Sequence, residues 1–211
     1  MKKIVSVLVV ILVVGAAFTG YTVYKKNSNS SISARPLSAN EAEGSTIVSA
    51  QAAAITESET EAHSADGQLN AVLEEKQSGE SSASYSLYSC DVNCTDKTLL
   101  FQQTLPKGEK LELPVNAWSP DNKYVFVAKK GSGGNIFLVF RASGETFSDE
   151  TPFIDVSSIF AEKQPNLILK DVTGWDSETL LHVFTNSENG DNGPSFWFEV
   201  PGGALIQLGS H

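Results

Sequence analysis

Trp118 and Trp175 each open the same short pattern, and this recurrence constrains the chain more than any other feature, because a repeated pattern implies a repeated structural unit. Laid on each other without a gap, "WSPDNKYVFVA" and "WDSETLLHVFT" place an apolar run a few residues after each tryptophan. A second apolar run follows in each copy: "NIFLVF" after the turn "KKGSGG", and "SFWFEV" after the slightly longer turn "NSENGDNG". In this alignment Gly203 falls on Gly144. The runs "KYVFVA" and "NIFLVF" are rich in β-branched and aromatic residues, and the glycines between them supply positive φ, so the pair is expected to form a β-hairpin. Ile136–Phe140 is apolar without alternation, which requires cover on both faces of the strand. "SPDN" and "RASGE" punctuate the hairpin as turns.

Further strands complete the units. "KLELPVNAW" and "NLILKDVTGW" lead into the two tryptophans, and "YSLYSCDVNCTDKTLLFQQ" reads as the last two strands of a preceding unit. The expectation is an all-β domain of about two and a half antiparallel four-stranded units, either an incomplete propeller or stacked sheets. Trp118-Ser119-Pro120-Asp121-Asn122-Lys123-Tyr124 and the closing Ser143-Gly144 resemble the β-propeller repeats of the TolB type and of the non-catalytic propeller domains of prolyl-oligopeptidase-like peptidases. The family typically has Gly where Asn122 stands, and the Trp175 copy lacks Ser-Pro-Asp. The resemblance implies propeller-like blades and a role in protein contact, or in gating access to a separate enzyme domain. Closed rings use four or more blades of roughly 40–45 residues, more than residues 85–211 hold.

Two segments precede this domain. Residues 1–26, "MKKIVSVLVVILVVGAAFTGYTVYKK", are uncharged from Ile4 to Tyr24; as a helix this run rises about 30 Å, the thickness of a bilayer core. The segment is expected to be an N-terminal membrane anchor, single-pass, with the C-terminal domain extracytoplasmic. The alternative is a signal peptide cleaved at a small-residue site such as Val14-Gly15-Ala16, giving a secreted protein. Residues 27–84 contain no aromatic residue and are rich in Ser, Ala, Glu, Thr and Gln, so they are expected to be a disordered acidic stalk. Within the stalk, "STIVSAQAAAITES" and "DGQLNAVLEEKQ" have helical potential, the latter with Asp66 as cap and Leu69, Val72, Leu73 and Lys76 on one face. Counting Lys and Arg against Asp and Glu gives +4 for residues 1–26, −7 for 27–84 and −7 for 85–211. Acidic segments repel phosphate backbones, so nucleic acid is not an expected partner.

The sequence offers no converging set of catalytic groups, and neither a cofactor nor a metal is expected. His182 lies inside the strand "LLHVF", His63 in the stalk and His211 at the end. "GSGG" around Ser132 lacks the Gly-x-Ser-x-Gly of a nucleophile elbow, and "NSENGDNG" lacks the ligand spacing of a calcium loop. The three tryptophans are read as core. Cys90 and Cys94, the only cysteines, sit at the two ends of a turn and are expected to form a disulfide outside the cytoplasm. The expected function is that of a membrane-tethered, extracytoplasmic, non-catalytic β-domain acting by protein or ligand contact. The alternative is an accessory or remnant propeller module of a peptidase-type system whose enzyme domain is encoded elsewhere. An incomplete set of units leaves a sheet side open, to be covered by self-association, by a protein partner, or by the segment Asp66–Gln77. Lys129, Lys130, Asn135, Glu188, Asp191 and Asn192, in the two equivalent turns, form the expected contact rim.

Overall fold

The structure, a computed structural model, describes residues 56–147 and 151–209. Twelve strands in this part form three antiparallel four-stranded sheets, each an up-and-down meander in chain order. Sheet I contains β1 (Glu57–His63), β2 (Leu69–Ser78), β3 (Ser82–Asp91) and β4 (Thr98–Pro106). Sheet II contains β5 (Lys110–Glu112), β6 (Tyr124–Gly131), β7 (Gly134–Arg141) and β8 (Phe153–Asp155). Sheet III contains β9 (Leu167–Trp175), β10 (Leu180–Ser187), β11 (Phe196–Glu199) and β12 (Leu205–Gln207). One helix, α1 (Val156–Lys163), links II to III. Asp155 caps it by accepting a hydrogen bond from the Ser158 amide at 2.9 Å, and Lys163 in its last turn donates to the Gly203 carbonyl at 2.7 Å.

The all-β expectation and the hairpin of "KYVFVA" with "NIFLVF" are observed. The boundary of the domain is not. Residues 57–84, expected to belong to the stalk, supply β1, β2 and the start of β3, so sheet I is complete and the units number three rather than two and a half. "DGQLNAVLEEKQ" is a tight turn followed by a strand, not a helix and not a cover for an open side. The physical reason lies in its neighbours. Strand β2 pairs along its whole length with β3 and is backed by β1, which satisfies its amides on both edges, and Ala71, Val72 and Leu73 are buried on alternating faces. Residues 1–55, which contain the expected anchor and the rest of the expected stalk, lie outside the described residues. Among the described residues no helix is long and apolar enough to cross a membrane.

The sheets stack face to face around one core. Phe101 of β4 packs on Phe140 of β7 and Phe153 of β8, with ring centroids 5.3 and 5.7 Å away, which joins I to II. Tyr124 and Phe126 of β6 meet Trp175 at 6.0 and 6.5 Å, and Phe160 of α1 meets Phe196 of β11 at 5.4 Å, which joins II to III. Aromatic pairs at these separations contribute about 0.5–1.5 kcal/mol each beyond area burial. A polar tie repeats at each junction. The indole N–H of Trp118 donates to the Ala62 carbonyl of sheet I at 2.7 Å, and that of Trp175 donates to the Ala117 carbonyl beside sheet II at 3.0 Å. Each acceptor is the residue just before the position its own unit gives to the pattern's first residue. His63 occupies that position in sheet I.

Candidate functional site

The turn after each of these positions fixes how the sheets correspond. In sheet II the Ser119 hydroxyl donates to Asp121 at 2.8 Å, the amides of Lys123 and Tyr124 donate back to the Asp121 carboxylate and the Ser119 hydroxyl, and Asn122 adopts φ 60°. Sheet I repeats this bond for bond: Ser64 to Asp66 at 2.7 Å, Gln68 amide to Asp66, Leu69 amide to Ser64, and Gly67 at φ 69°. The sequence "HSADGQL" is therefore a full copy of "WSPDNKY", with Gly67 where sheet II has Asn122. Sequence reasoning passed over it because His replaced the tryptophan that served as its marker. The two turns also touch, since Asn122 donates through Nδ2 to Asp66 at 2.8 Å. Hydrogen bonds from the Gln68 amide, Ser64 and Asn122 hold the Asp66 carboxyl below its ordinary value. At Asp121 burial pushes upward, but the bonds from Lys123 and Ser119 outweigh it and the net direction is down.

In sheet III the turn is one residue shorter. The Asp176 amide reaches the Leu180 carbonyl, as Ser119 reaches Tyr124 and Ser64 reaches Leu69. Leu180, not Leu181, therefore corresponds to Tyr124, and the gapless alignment is corrected by one residue. The pairing agrees, because Leu181 lies opposite Trp175 as Val125 lies opposite Trp118. At the far end of the third strands the turn closes on a residue with positive φ in all three sheets: Cys94 (48°), Gly144 (77°) and Gly203 (68°). The match of Gly203 with Gly144 is thus recovered at the turn, although the strands before it are shifted. Cys90 takes the core position held by Phe140 in sheet II and Phe198 in sheet III, and it is joined to Cys94 by a disulfide, as expected.

The outward faces of sheets I and III differ in character. Sheet I presents Asn70, Val72, Glu74, Tyr88 and Cys90. Lys97 folds over this face, donating to Glu74 at 2.9 Å and Glu59 at 3.4 Å with its ammonium 5.4 Å from the Tyr88 ring, while Asn70 donates to Glu61. Val72 and Asn70 are buried although, among the described residues, no sheet lies beyond them. Sheet III presents Leu180, His182, Phe184, Trp197, Ile206 and Ile168, and Phe184, Ile206 and Ile168 are 40, 47 and 55 % exposed. By register, Leu180, His182, Phe184, Trp197 and Ile206 stand where Tyr124, Phe126, Ala128, Val139 and Ile154 stand in sheet II, on the face that receives sheet III. Asp176 fixes two of the outward rings: it accepts from the Trp197 indole at 2.6 Å and lies 3.2 Å from His182 Nδ1. His182 stacks on Phe184 at 4.6 Å, and its Nε2 has no hydrogen-bond partner among the described residues. Of the three tryptophans read as core, Trp118 is buried, Trp175 is half-buried between sheets, and Trp197 lies on this open face.

The residues of the expected rim sit in equivalent connections, Lys129, Lys130 and Asn135 at β6–β7 and Glu188, Asp191 and Asn192 at β10–β11. Lys129 is paired with Glu109 at 2.8 Å, Lys130 lies 5.2 Å from the Phe137 ring centroid, and Asn192 accepts from Lys170 at 3.3 Å. Glu188 and Asp191 are exposed. Among the described residues no cluster of three or more His, Cys, Asp or Glu is arranged to hold a metal ion. An open sheet side and the need of "SFWFEV" for cover on both faces are expected from the sequence, but that the open side is the outward face of sheet III is not, since "LLHVF" and "FWFE" are apolar on both strand faces. No family model matches the chain, and no curated protein matches it in sequence.

Proposed function

We propose that this chain is a membrane-tethered, extracytoplasmic β-domain that works by contact with another protein, its three sheets serving as successive blades of an open, propeller-like arc. The observation that carries this reading is the outward face of sheet III, an aromatic and aliphatic surface built to the same positions as a face that elsewhere in the molecule receives a sheet. Apolar patches of this kind mark interaction sites. The tether is supported by the uncharged run Ile4–Tyr24. The test is fractionation with protease shaving of intact cells. Full-length chain should stay in carbonate-washed membranes, and external protease should remove residues 56–211; a soluble product beginning near residues 16–20, or a domain sheltered from external protease, overturns the tether. A second reading, an accessory module of a peptidase-type system, draws on the Ser-x-Asp turn, which recurs at Ser64–Asp66 and Ser119–Asp121. Co-purification of a hydrolase with the tethered chain distinguishes it.

A further inference from the structure

We infer that the outward face of sheet III receives a β-sheet of a different protein, one whose apolar face is rimmed by lysine and arginine and whose leading strand brings an N–H donor to the Gly174 carbonyl. This rests on the contact reading above and specifies the partner.

Geometry defines the shape of the occupant. Sheet II receives sheet III on Tyr124, Phe126, Ala128, Val139 and Ile154, and sheet III repeats that face as Leu180, His182, Phe184, Trp197 and Ile206. A surface with the pleat and register of a sheet-receiving face is complementary to another sheet at the roughly 10 Å spacing of stacked sheets. The polar tie points the same way. The carbonyls of Ala62 and Ala117 each accept an indole N–H from the next unit, at 2.7 and 3.0 Å. The third carbonyl of that series belongs to Gly174, which directly precedes Trp175 as Ala117 precedes Trp118.

Charge separates a foreign partner from a second copy. Residues 164–209 carry Asp171, Asp176, Glu178, Glu188, Asp191 and Glu199 against Lys170 alone, a net −5, and residues 56–106 carry a net −7. Two sheet III faces brought together, or sheet III brought to sheet I of a second copy, would oppose acid to acid, and like charges across an interface cost several kcal/mol. Sheet I is also closed by Lys97 and the disulfide turn, and it has His63 where the tie uses an indole. A basic rim around an apolar centre complements the surface, and such charges act chiefly on association rate and salt dependence.

The experiment places a photo-crosslinking phenylalanine derivative, one site at a time, at Phe184, Ile206 and Leu99 of the full-length chain in its own membrane. Leu99 is on the outward side of sheet I and 50 % exposed. Adducts are mapped by mass spectrometry, and each variant is first shown to melt with the parent chain. Phe184 and Ile206 should both yield an adduct to the same foreign protein, mapped to a strand flanked by Lys or Arg, and Leu99 should not. Glu178→Lys combined with Asp191→Lys should lower the yield by about fivefold or more at low salt, and less at high salt. Adducts from Phe184 and Ile206 to a second copy, to residues 1–55 of the same chain, to lipid, or to a strand without basic flanks overturn the inference, as does the absence of any adduct. If Leu99 alone captures a protein, the contact reading stands and this site is wrong; if no position captures one, both fail.

Discussion

Sheets I and III are built to one plan and meet solvent in opposite ways. Sheet I places Asn70, Glu74, Tyr88 and Lys97 on its outward face and folds the Cys90–Cys94 turn beside them, so Val72 is buried with no further sheet of the described residues above it. Sheet III places Phe184, Trp197, Ile206 and Ile168 there; Asp176 accepts from the Trp197 indole, and among the described residues no sheet covers this face. In stacked repeats each unit buries its faces against its neighbours, and an end unit remains soluble only if its outer face is polar. One end of this stack meets that condition with charge, a disulfide and a histidine in place of a tryptophan. The other keeps the apolar positions of an internal unit. The difference teaches that one repeat plan gives a capped face or an exposed apolar one according to the side chains at its outward positions.

The comparison breaks most easily at Phe198 and Phe184, two phenylalanines on opposite faces of sheet III. Phe198 is fully buried on the inward side, and Phe198→Ala is expected to cost about 3–5 kcal/mol in urea unfolding. Phe184→Ala on the outward side is expected to change stability by no more than about 0.5 kcal/mol. Equal losses at the two positions would mean that the chain covers its own outward face. The closed end is tested by replacing both cysteines with serine. The short loop they close predicts a loss of about 2 kcal/mol by the chain-entropy model, and an unchanged midpoint would show that Lys97 and its carboxylates close sheet I unaided. The smallest effect is in the paired turns. Asp66 and Asp121 have folded-state values below the ordinary 3.8, so their contribution is fully present above that pH and is lost as pH falls through the depressed values. Acid titration of stability should accordingly flatten below about pH 4 in Asp66→Asn and Asp121→Asn, with the intercept at neutral pH lower than in the parent.

Much of sheets II and III was legible in the sequence. Aromatic and β-branched runs separated by glycine turns specify hairpins locally, and Trp118 and Trp175 mark the repeat because each indole performs the same task. The cysteine spacing spoke for itself, since the two lie four positions apart and a turn brings its ends to a Cα distance of 4.9 Å. Sheet I was legible only in its second half, where "YSLYSCDVNCTDKTLLFQQ" reads as two strands. Its first half was not, because Glu57, Glu59 and Glu61 on exposed β1 give that segment the composition of a solvated linker. It becomes a sheet because β2 and β3 exchange hydrogen bonds along their length and bury Ala71, Leu73, Tyr85 and Leu87 in the common core, a gain that exists only once the chain has folded back.

The candidate surface divides in the same way. Sequence alone determined that "LLHVF" and "FWFE" are apolar on both sides and need cover. It could not determine which side lacks it, because a strand that is apolar throughout carries no phase, and a turn one residue shorter moves every side chain to the other face. That choice fell to the shortened turn between Trp175 and Leu180 and to the position of sheet III at the end of the stack: packing against sheet II took Leu181, Val183, Phe196 and Phe198 into the core and left Phe184, Trp197 and Ile206 outside.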